Sequence, residues 1–310
     1  MTGLRAVHVR APGKINLTLR AGLPREDGYH PLETVFQAVS LYEDVIARPA
    51  EDISAELHGR GADLPTGREN LAVRAAELLR ETAGEDSGVH LSITKQVPVA
   101  GGMAGGSADA AATLIACDQL WGTGLGREEL AELAAELGAD VPFALTGMSA
   151  MGTGRGDLIS PVMSRGQYHW VLAIQDEGLS TPEVFAEFDA LTGDGPGPDD
   201  EDDARHGGEV VSALLSADPL VLARTLHNDL EQAAVSLRPG LADVLAAADR
   251  AGALAAVVSG SGPTVAALAL DAPHASSVAD VLRGAEVADE IQVATGPVPG
   301  ARVIEHVGRG

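Results

Sequence analysis

The sequence is nearly free of cysteine, with Cys117 the only one among 310 residues. A single cysteine excludes an intrachain disulfide and a cysteine-based zinc site. The nine histidines are also dispersed, because the nearest two in sequence, His206 and His227, lie 21 positions apart. This spacing excludes a pair of histidine ligands on one turn of a helix. We therefore expect a reduced protein with no metal-ligand set of its own.

Basic charge is scarce as well. The chain has 45 acidic residues against 21 Lys and Arg, and its net charge is −24. Nucleic acid is excluded as the main partner, because phosphate backbones require a basic surface, although a local site for a small phosphorylated ligand remains compatible. No apolar run approaches the roughly eighteen residues of a membrane span, and the first residues lack the apolar core of a signal peptide. These features predict a cytoplasmic protein without a membrane partner, and they leave the oligomeric state open.

Hydrophobic residues make up 45% of the chain, enough for a sizeable core. The length suggests two domains or one large one, and a shift to Gly, Arg and Ser near 152–165 favours a boundary that gives 1–160 and 161–310. Strand and helix patterns mix without regular parallel βαβ alternation, which predicts an α+β fold. We predict strands at 7–9, 15–19, 34–40, 44–47, 89–93, 169–174, 254–258, 265–270 and 290–294, and helices at 70–79, 110–120, 127–137, 182–190, 209–215, 218–236, 240–251 and 275–282.

The segment 193–203, GDGPGPDDEDD, contains six acids, three glycines and two prolines. Such a composition cannot supply a core, so we predict a solvated loop there. It is either a tolerated surface insertion or an acidic interaction segment.

The strongest chemical signal is the glycine-rich segment 97–111, VPVAGGMAGGSADAA. It follows a predicted strand and precedes a predicted helix. Glycine lets the backbone approach a ligand closely, and the helix N-terminus offers free N–H groups with a partial positive charge. The pattern is neither a Walker A loop nor a dinucleotide-binding fingerprint. Its context favours phosphate binding over a flexible connection.

Lysine occurs at two positions only, Lys14 and Lys95, among the 21 Lys and Arg. A lysine in a chain that otherwise uses arginine suggests a need for a compact ammonium group. Lys14 follows a predicted turn at 12–13 in the segment APGKINLTL. It could stabilise phosphate charge or lower the pKa of a neighbouring group, or it could be an ordinary surface lysine.

Three further segments each allow a functional and a structural interpretation. Asp140, in LGADVPF, could accept a proton from an attacking hydroxyl or could cap a helix. The segment SGSGPT at 259–264 could bring backbone close to a ligand or could form a tight hairpin. The segment DGYH at 27–30 offers an aromatic ring and an imidazole for a heterocyclic base, or it is a turn.

Together these segments resemble the GHMP kinase superfamily, which includes galactokinase, homoserine kinase and mevalonate kinase. The three motifs of the superfamily occur in order, as APGKINL at 11–17, PVAGGMAGGSADAA at 98–111 and SGSGPT at 259–264. The segments 27–30 and 137–142 are similar to the branch that phosphorylates a cytidyl-diphospho sugar alcohol. The resemblance covers most of the chain apart from 193–203 and the C-terminal end.

The resemblance implies a two-domain α+β fold, with an N-terminal domain like domain 2 of ribosomal protein S5 and a ferredoxin-like C-terminal domain. Asp140 matches the general base of the family, and Lys14 matches the residue that orients this base and stabilises charge. Tyr29 and His30 would recognise cytosine, with Phe185 on its other face. Asn16 and Thr181 would contact the substrate.

The resemblance also implies that ATP binds with its phosphates in the glycine-rich loop. Mg²⁺ would arrive with the ATP, and the sequence identifies no protein ligand for it. The loop commonly reads GLGGGSSDAA in the family, so this chain lacks a glycine at Ala104 and a serine at Ala108; we expect Ala104 to fit if its φ is negative. The implied ATP-binding residues are Pro98, Val99, Ala100, Gly101, Gly102, Met103, Ala104, Gly105, Gly106, Ser107 and Ala108.

Two other functions remain open at this stage. One is another GHMP kinase activity, on homoserine or mevalonate. The other is a non-catalytic ligand-binding protein on the same fold, since a fold alone does not determine a function. The presence of both Lys14 and Asp140 favours an enzyme.

Overall fold

The structure is a computed structural model that describes residues 6–25, 28–193 and 200–307. Helices cover two β-sheets that pack against each other. The elements, in chain order, are β1 (Ala6–Ala21), β2 (Leu32–Ala50), β3 (Ser54–Gly59), α1 (Leu71–Ala83), β4 (Gly88–Lys95), α2 (Gly105–Trp121), α3 (Arg127–Leu137), α4 (Val141–Thr146), β5 (Ser149–Thr153), β6 (Leu158–Pro161), β7 (Tyr168–Ile174), α5 (Thr181–Thr192), α6 (Asp200–Ser216), α7 (Pro219–Ala223), β8 (His227–Asn228), α8 (Glu231–Leu237), α9 (Gly240–Arg250), β9 (Ala255–Val258), β10 (Val265–Ala269), α10 (Ala272–Ala285), β11 (Glu290–Gly296) and β12 (Arg302–Val307).

The first sheet is built on the long strands β1 and β2, in the order β12-β1-β2-β4-β3, with β5 beside β2, β6 beside β5 and β8 beside β1. The predicted turn at Pro12 and Gly13 is wrong, because both residues lie inside β1. The pairing of β1 with β2 shifts register between these two residues. Such an irregularity accommodates proline, which cannot donate to the ladder, without ending the strand.

The second sheet has the order β11-β7-β10-β9, and its neighbouring strands are all antiparallel. Numbered along the chain, these four strands lie in the order 4-1-3-2, with α10 between the third and the fourth. This is the arrangement of a ferredoxin-like domain. The predicted α+β fold is confirmed.

The core forms in layers. The helices α1 to α4 pack on one face of the first sheet, where they cover Val7 and Val9 of β1. Further along β1, Ile15 and Leu17 pack against Trp170 of the second sheet. The far face of the second sheet is covered by α5, α8, α9 and α10. Alternate residues of a strand point to opposite faces. The side chain of Asn16, between the buried Ile15 and Leu17, therefore points toward the opposite face of the strand.

Helix boundaries follow local signals in several places. Asn70 caps α1 through a hydrogen bond from the backbone N–H of Ala72 to its side chain, and α3 spans the predicted 127–137 and ends at Gly138. The predicted helix at 218–236 is wrong, since α7, β8 and α8 occupy this stretch. In the predicted loop 193–203, residues 200–203 belong to α6, whereas 194–199 lie outside the described residues.

The late strands β8 and β12 both pair with β1, near the start of the chain. The division between 1–160 and 161–310 stays a prediction. Among the described residues, no helix is long and apolar enough to cross a membrane.

Candidate functional site

A cavity of about 1350 Å³ lies where β1, the glycine-rich loop and the start of α5 meet. The predicted site residues come together here with two exceptions. The side chains of Met103 and Ala108 are fully buried in the cores instead. The predicted residues that line the cavity are Lys14, Asn16, Tyr29, His30, Pro98, Val99, Ala100, Gly101, Gly102, Ala104, Gly105, Gly106, Ser107, Asp140, Thr181 and Phe185.

Lys14 and Asn16 reach the cavity from one face of β1. Lys14 Nζ donates a hydrogen bond to Asn16 Oδ1 at 2.7 Å, and Asn16 Nδ2 donates to Thr34 Oγ1 at 2.8 Å. The Thr34 hydroxyl in turn donates to the carbonyl of Thr18 at 2.6 Å. This chain of hydrogen bonds aims the ammonium group, so Asn16 acts on Lys14 in addition to lining the cavity.

The electrostatic setting of Lys14 depends on Asp140. Only 6% of Lys14 is exposed. Burial lowers the pKa of Lys14, and the negative charge of Asp140 offsets this only in part. Asp140 occupies the position before α4, yet its side chain makes no capping hydrogen bond. The carboxylate is therefore not used as a cap, and it lines the same cavity as the ammonium group.

The glycine-rich loop is shaped by close backbone contacts. Gly102 has φ +74°, and a Cβ built there would lie 1.9 Å from the carbonyl oxygen of Ser259, so only glycine fits. Ala104 has φ +59°, so the condition under which we expected it to fit, a negative φ, is not met. A left-handed alanine costs roughly 1–2 kcal/mol. It precedes α2 and makes no side-chain cap, so the first N–H groups of this helix are left for a ligand or water.

A buried ionic cluster, not predicted from sequence as part of the site, lies under this loop. Lys95 precedes the loop and Asp109 follows it, and Lys95 Nζ lies 2.5 Å from Asp109 Oδ2. Lys95 also donates to Glu43 Oε1 at 3.0 Å. The ion pair joins the two ends of the loop, and Glu43 attaches both to β2. The scarcity of lysine is the signal that could have identified Lys95, because both lysines of the chain line the cavity.

The cluster contains two carboxylates and one ammonium group in a dry environment. Burial, and then the charge of Asp109, raise the pKa of Glu43 to about 8. Although burial acts to lower it, the two carboxylates raise the pKa of Lys95. Lys95 therefore stays charged near neutral pH, between two carboxylates whose pKa values are raised mainly by burial.

The glycine turn 259–262 forms part of the cavity wall through Gly260 and Ser261. Ser259 Oγ donates to the carbonyl of Gly102 at 3.0 Å. Ser261 Oγ and Thr181 Oγ1 lie 2.9 Å apart, so the turn also holds the start of α5. The sequence motif singled out this turn, although Ser261 was not among the predicted site residues.

Aromatic side chains form another wall. The rings of His30 and Phe185 are stacked, with centroids 4.9 Å apart and planes at 27°. A base between them would require about 7 Å, twice the spacing of stacked rings, so these two rings form one surface and do not enclose a base. Tyr29 lies next in the chain, with the Arg155 guanidinium 5.5 Å from its ring centroid. Asp27, from the same motif, lies outside the described residues.

Within 6–25, 28–193 and 200–307, no three His, Cys, Asp or Glu side chains are grouped so that they could hold an ion. Asp109 Oδ1 is buried at the cavity and has no hydrogen-bond partner in the part of the chain that the structure describes, and the Ser107 hydroxyl lines the same region. Oxygen donors of this kind fit Mg²⁺ that arrives with phosphate ligands.

Comparisons with known proteins agree with this geometry. The family models for the GHMP kinases N-terminal domain and the GHMP kinases C-terminal region match residues 70–148 and 210–288. A 4-diphosphocytidyl-2-C-methyl-D-erythritol kinase of Leifsonia xyli is 54% identical over 96% of this chain and 99% of its own length. The enzyme of the same name in Mycobacterium tuberculosis is 53% identical over 96% of this chain and 93% of its own.

Solved structures give the same result. A crystal structure of 4-(cytidine 5'-diphospho)-2C-methyl-D-erythritol kinase has a TM-score of 0.74 and 32% identity, over 93% of this chain and 98% of that one. Homoserine kinase from Cytophaga hutchinsonii has a TM-score of 0.75 at 22% identity, over 96% and 97% of the two chains, which shows a shared fold alone. The chain therefore belongs to the GHMP kinase family.

Proposed function

We propose that this protein is an ATP-dependent kinase that phosphorylates the 2-hydroxyl of 4-diphosphocytidyl-2-C-methyl-D-erythritol, in the non-mevalonate route to isoprenoid precursors. The observation that carries the proposal is a single cavity lined by Lys14, Asp140 and the glycine-rich loop. Phosphoryl transfer depends on alignment and on neutralising charge, and these groups supply both. A cytoplasmic location and the absence of a nucleic-acid partner stay predictions from composition.

ATP binds along the glycine-rich loop in this proposal. The N–H groups at the start of α2 hold the phosphates, since backbone donors bind an anion even in a protein of net charge −24. Beyond the loop, the cavity continues between Leu57, Leu64 and Pro65, an apolar recess suited to the adenine ring. Ser107 and Asp109 would hold Mg²⁺, which neutralises phosphate charge when it is bound.

Asp140 acts as the general base. It accepts the proton of the acceptor 2-hydroxyl as the oxygen forms a bond to the γ-phosphorus, and the bond from this phosphorus to the β-phosphate bridging oxygen breaks to release ADP. Lys14 stabilises the negative charge that develops on the transferring group. Asn16 keeps the ammonium group aimed into the cavity through its 2.7 Å hydrogen bond.

The cytosine end binds at the aromatic wall. His30 Nδ1 lies 2.8 Å from the carbonyl of Gly22, and because a carbonyl only accepts, Nδ1 carries the hydrogen. His30 Nε2 lies 3.4 Å from Asp189 Oδ2, so His30 and Asp189 together offer polar atoms to the edge of cytosine in the cavity. The base stacks on Tyr29 or on the free face of Phe185, and Thr181 contacts the acceptor from the start of α5.

A coupled ADP-release assay tests the proposal. Mg-ATP is supplied with 4-diphosphocytidyl-2-C-methyl-D-erythritol, homoserine or mevalonate as the acceptor. We expect turnover with the first acceptor only. Turnover with homoserine or mevalonate would retain a kinase and reject the cytosine pocket. No turnover with any acceptor, in folded protein that binds ATP, would favour a non-catalytic binding protein.

A further inference from the structure

A short segment between α7 and α8, residues 227–230, lies beside β1. The predicted continuous helix is interrupted here by β8, which runs parallel to β1 and pairs Asn228 with Leu19. Asn228 is therefore attached through its backbone to the strand that carries Lys14. Only 6% of Asn228 is exposed. A buried amide at this place requires partners for all its polar atoms.

Both polar atoms of the Asn228 side chain make hydrogen bonds. Its Nδ2 donates to the carbonyl of Val258 at 2.8 Å and to the carbonyl of Gly260 at 2.7 Å. Its Oδ1 accepts from the backbone N–H of Leu230 at 2.9 Å. The amide thus bonds to the carbonyl group of the residue that precedes the glycine turn 259–262 and to that of the second residue of the turn. Aspartate, leucine or alanine could not make the two donor contacts.

The glycine turn also lies close to Lys14 and Asn16. A Cβ built on Gly260, which has φ +58°, would lie 3.1 Å from Lys14 Nζ and 3.2 Å from Asn16 Oδ1. The neighbouring Ser259 is bonded to Gly102 of the glycine-rich loop. The position of this turn therefore sets how closely Lys14 is packed and where the middle of the loop lies.

We infer that Asn228 is a positioning residue for phosphoryl transfer, which holds the glycine turn at a fixed distance from Lys14 and from the glycine-rich loop. The inference rests on the proposed function. Asn228 is not among the residues that the sequence motifs indicate, and it acts through the turn, not through contact with the reacting atoms. A displacement of about 1 Å in such a support can cost on the order of 10²-fold in rate.

Two variants and one control test the inference. Asn228→Ala removes all three side-chain hydrogen bonds, and Asn228→Asp keeps the shape but removes the two donors. Asp271→Ala is the control, because Asp271 caps α10 at 2.8 Å from the His274 N–H, away from the cavity, and its loss lowers stability without touching the turn. Folded fraction is measured by thermal melting for every protein.

Steady-state kinetics give the first readout. At a temperature where all proteins are folded, we expect both Asn228 variants to lower kcat by about 10- to 100-fold. The KM of the acceptor should change less than kcat, because Asn228 bonds to Val258 and Gly260, whereas Ser261, which holds the start of α5, is not among its partners. The control should keep the kcat of the parent protein. Unchanged kcat in both Asn228 variants would overturn the inference. Turnover by the parent protein would still support the proposed function.

Lysine NMR gives a second readout that needs no turnover. The chain has two lysines, so ¹³C-lysine labelling yields two side-chain signals, and Lys14→Arg assigns them. In the parent protein, burial lowers the pKa of Lys14. We expect this pKa to rise in Asn228→Ala, because a displaced turn admits water to the ammonium group, and to stay constant in Asp271→Ala. An unchanged Lys14 titration in Asn228→Ala would contradict the positioning role even if the parent protein proved inactive.

Discussion

At the scale of single residues, the reactivity of a side chain depends on its burial and on the groups that it contacts. Lys14 is one of two lysines in a chain of 310 residues, and its ammonium group is buried, hydrogen-bonded to Asn16 and under the charge of Asp140. An ordinary surface lysine, the alternative that the sequence allowed, would have none of these contacts. The pairing of a buried ammonium with a partly exposed carboxylate in one cavity is the arrangement that proton abstraction and charge stabilisation require.

Replacing the carboxylate tests the assignment of the base. Asp140→Asn removes the proton acceptor but keeps the shape of the side chain, and no capping hydrogen bond is lost. We expect kcat to fall by about 10²–10⁴-fold, with melting temperature and ATP affinity close to those of the parent protein. Turnover assays, melting curves and calorimetric titration with a non-hydrolysable ATP analogue measure the three quantities. Near-normal turnover would reject Asp140 as the base.

Removing an aromatic ring tests the acceptor pocket. Tyr29→Ala takes away a ring that lines the cavity. An aromatic contact contributes about 1 kcal/mol, so we expect the acceptor KM to rise about fivefold, while the KM of ATP stays constant. Tyr42→Ala serves as the control, because Tyr42 packs near Arg10 outside the cavity. A similar rise in both variants would mean that the effect is not specific to the pocket.

At the scale of elements, the glycine-rich loop is held between a strand and a helix. Lys95 ends β4 and Asp109 lies in the first turns of α2, so their ion pair joins the two elements that flank the loop. Glu43 ties this pair to β2, and its Oε2 accepts from the backbone N–H of Gln96 at 2.9 Å. A loop fixed at both ends can present its N–H groups in one arrangement.

The ionic cluster makes stability depend on pH. Glu43 titrates near 4.5 in the unfolded chain and near 8 in the folded protein. Between these values the folded protein holds a proton that the unfolded chain has released, so the free energy of unfolding falls as pH rises, by up to about 1.4 kcal/mol per pH unit. We expect Glu43→Gln to flatten this dependence between pH 5 and pH 8, roughly the window set by the two values.

Denaturant unfolding at several pH values measures the effect. The exposed Glu136 provides a matched control, and Glu136→Gln should keep the slope of the parent protein. If the slope of Glu43→Gln equals that of the control, Glu43 does not hold the proton.

At the scale of the whole molecule, strands from late in the sequence pair with the first strand, β1. The last strand, β12, pairs antiparallel with β1 from Ala6 to Arg10, and Val303 packs against the core of the first sheet. β8 pairs with the same strand further along. The strand that carries Lys14 is therefore supported by segments far away in sequence, so the site requires both parts of the chain.

Truncation tests this long-range support. Removal of 302–310 would leave β1 as an open sheet edge and expose part of the core, so we expect a lower melting temperature and association in solution. A chain that ends after residue 307 keeps β12 and is the control. Melting curves and size-exclusion chromatography compare the two. Equal melting temperatures would show that β12 contributes nothing to the stability of the first sheet.

The sequence alone determined the family motifs, the α+β class and the elements with strong local signals. Helix α3 follows from apolar spacing and a terminal glycine, and α1 follows from its Asn70 cap, because both signals act within a few residues. The glycine-rich loop was likewise evident from composition and context. These features are local, so a single sequence is enough to predict them.

Only the tertiary structure decided which residues meet. The helix predicted at 218–236 is interrupted at 224–230, and β1 continues through Pro12 and Gly13. Both features depend on pairing between distant strands, which local propensity does not encode. The left-handed Ala104 and the cluster around Lys95 arise in the same way. Packing compensates for unfavourable local conformations and brings charged groups together from β2, β4 and α2, so these features become visible only once the chain is folded.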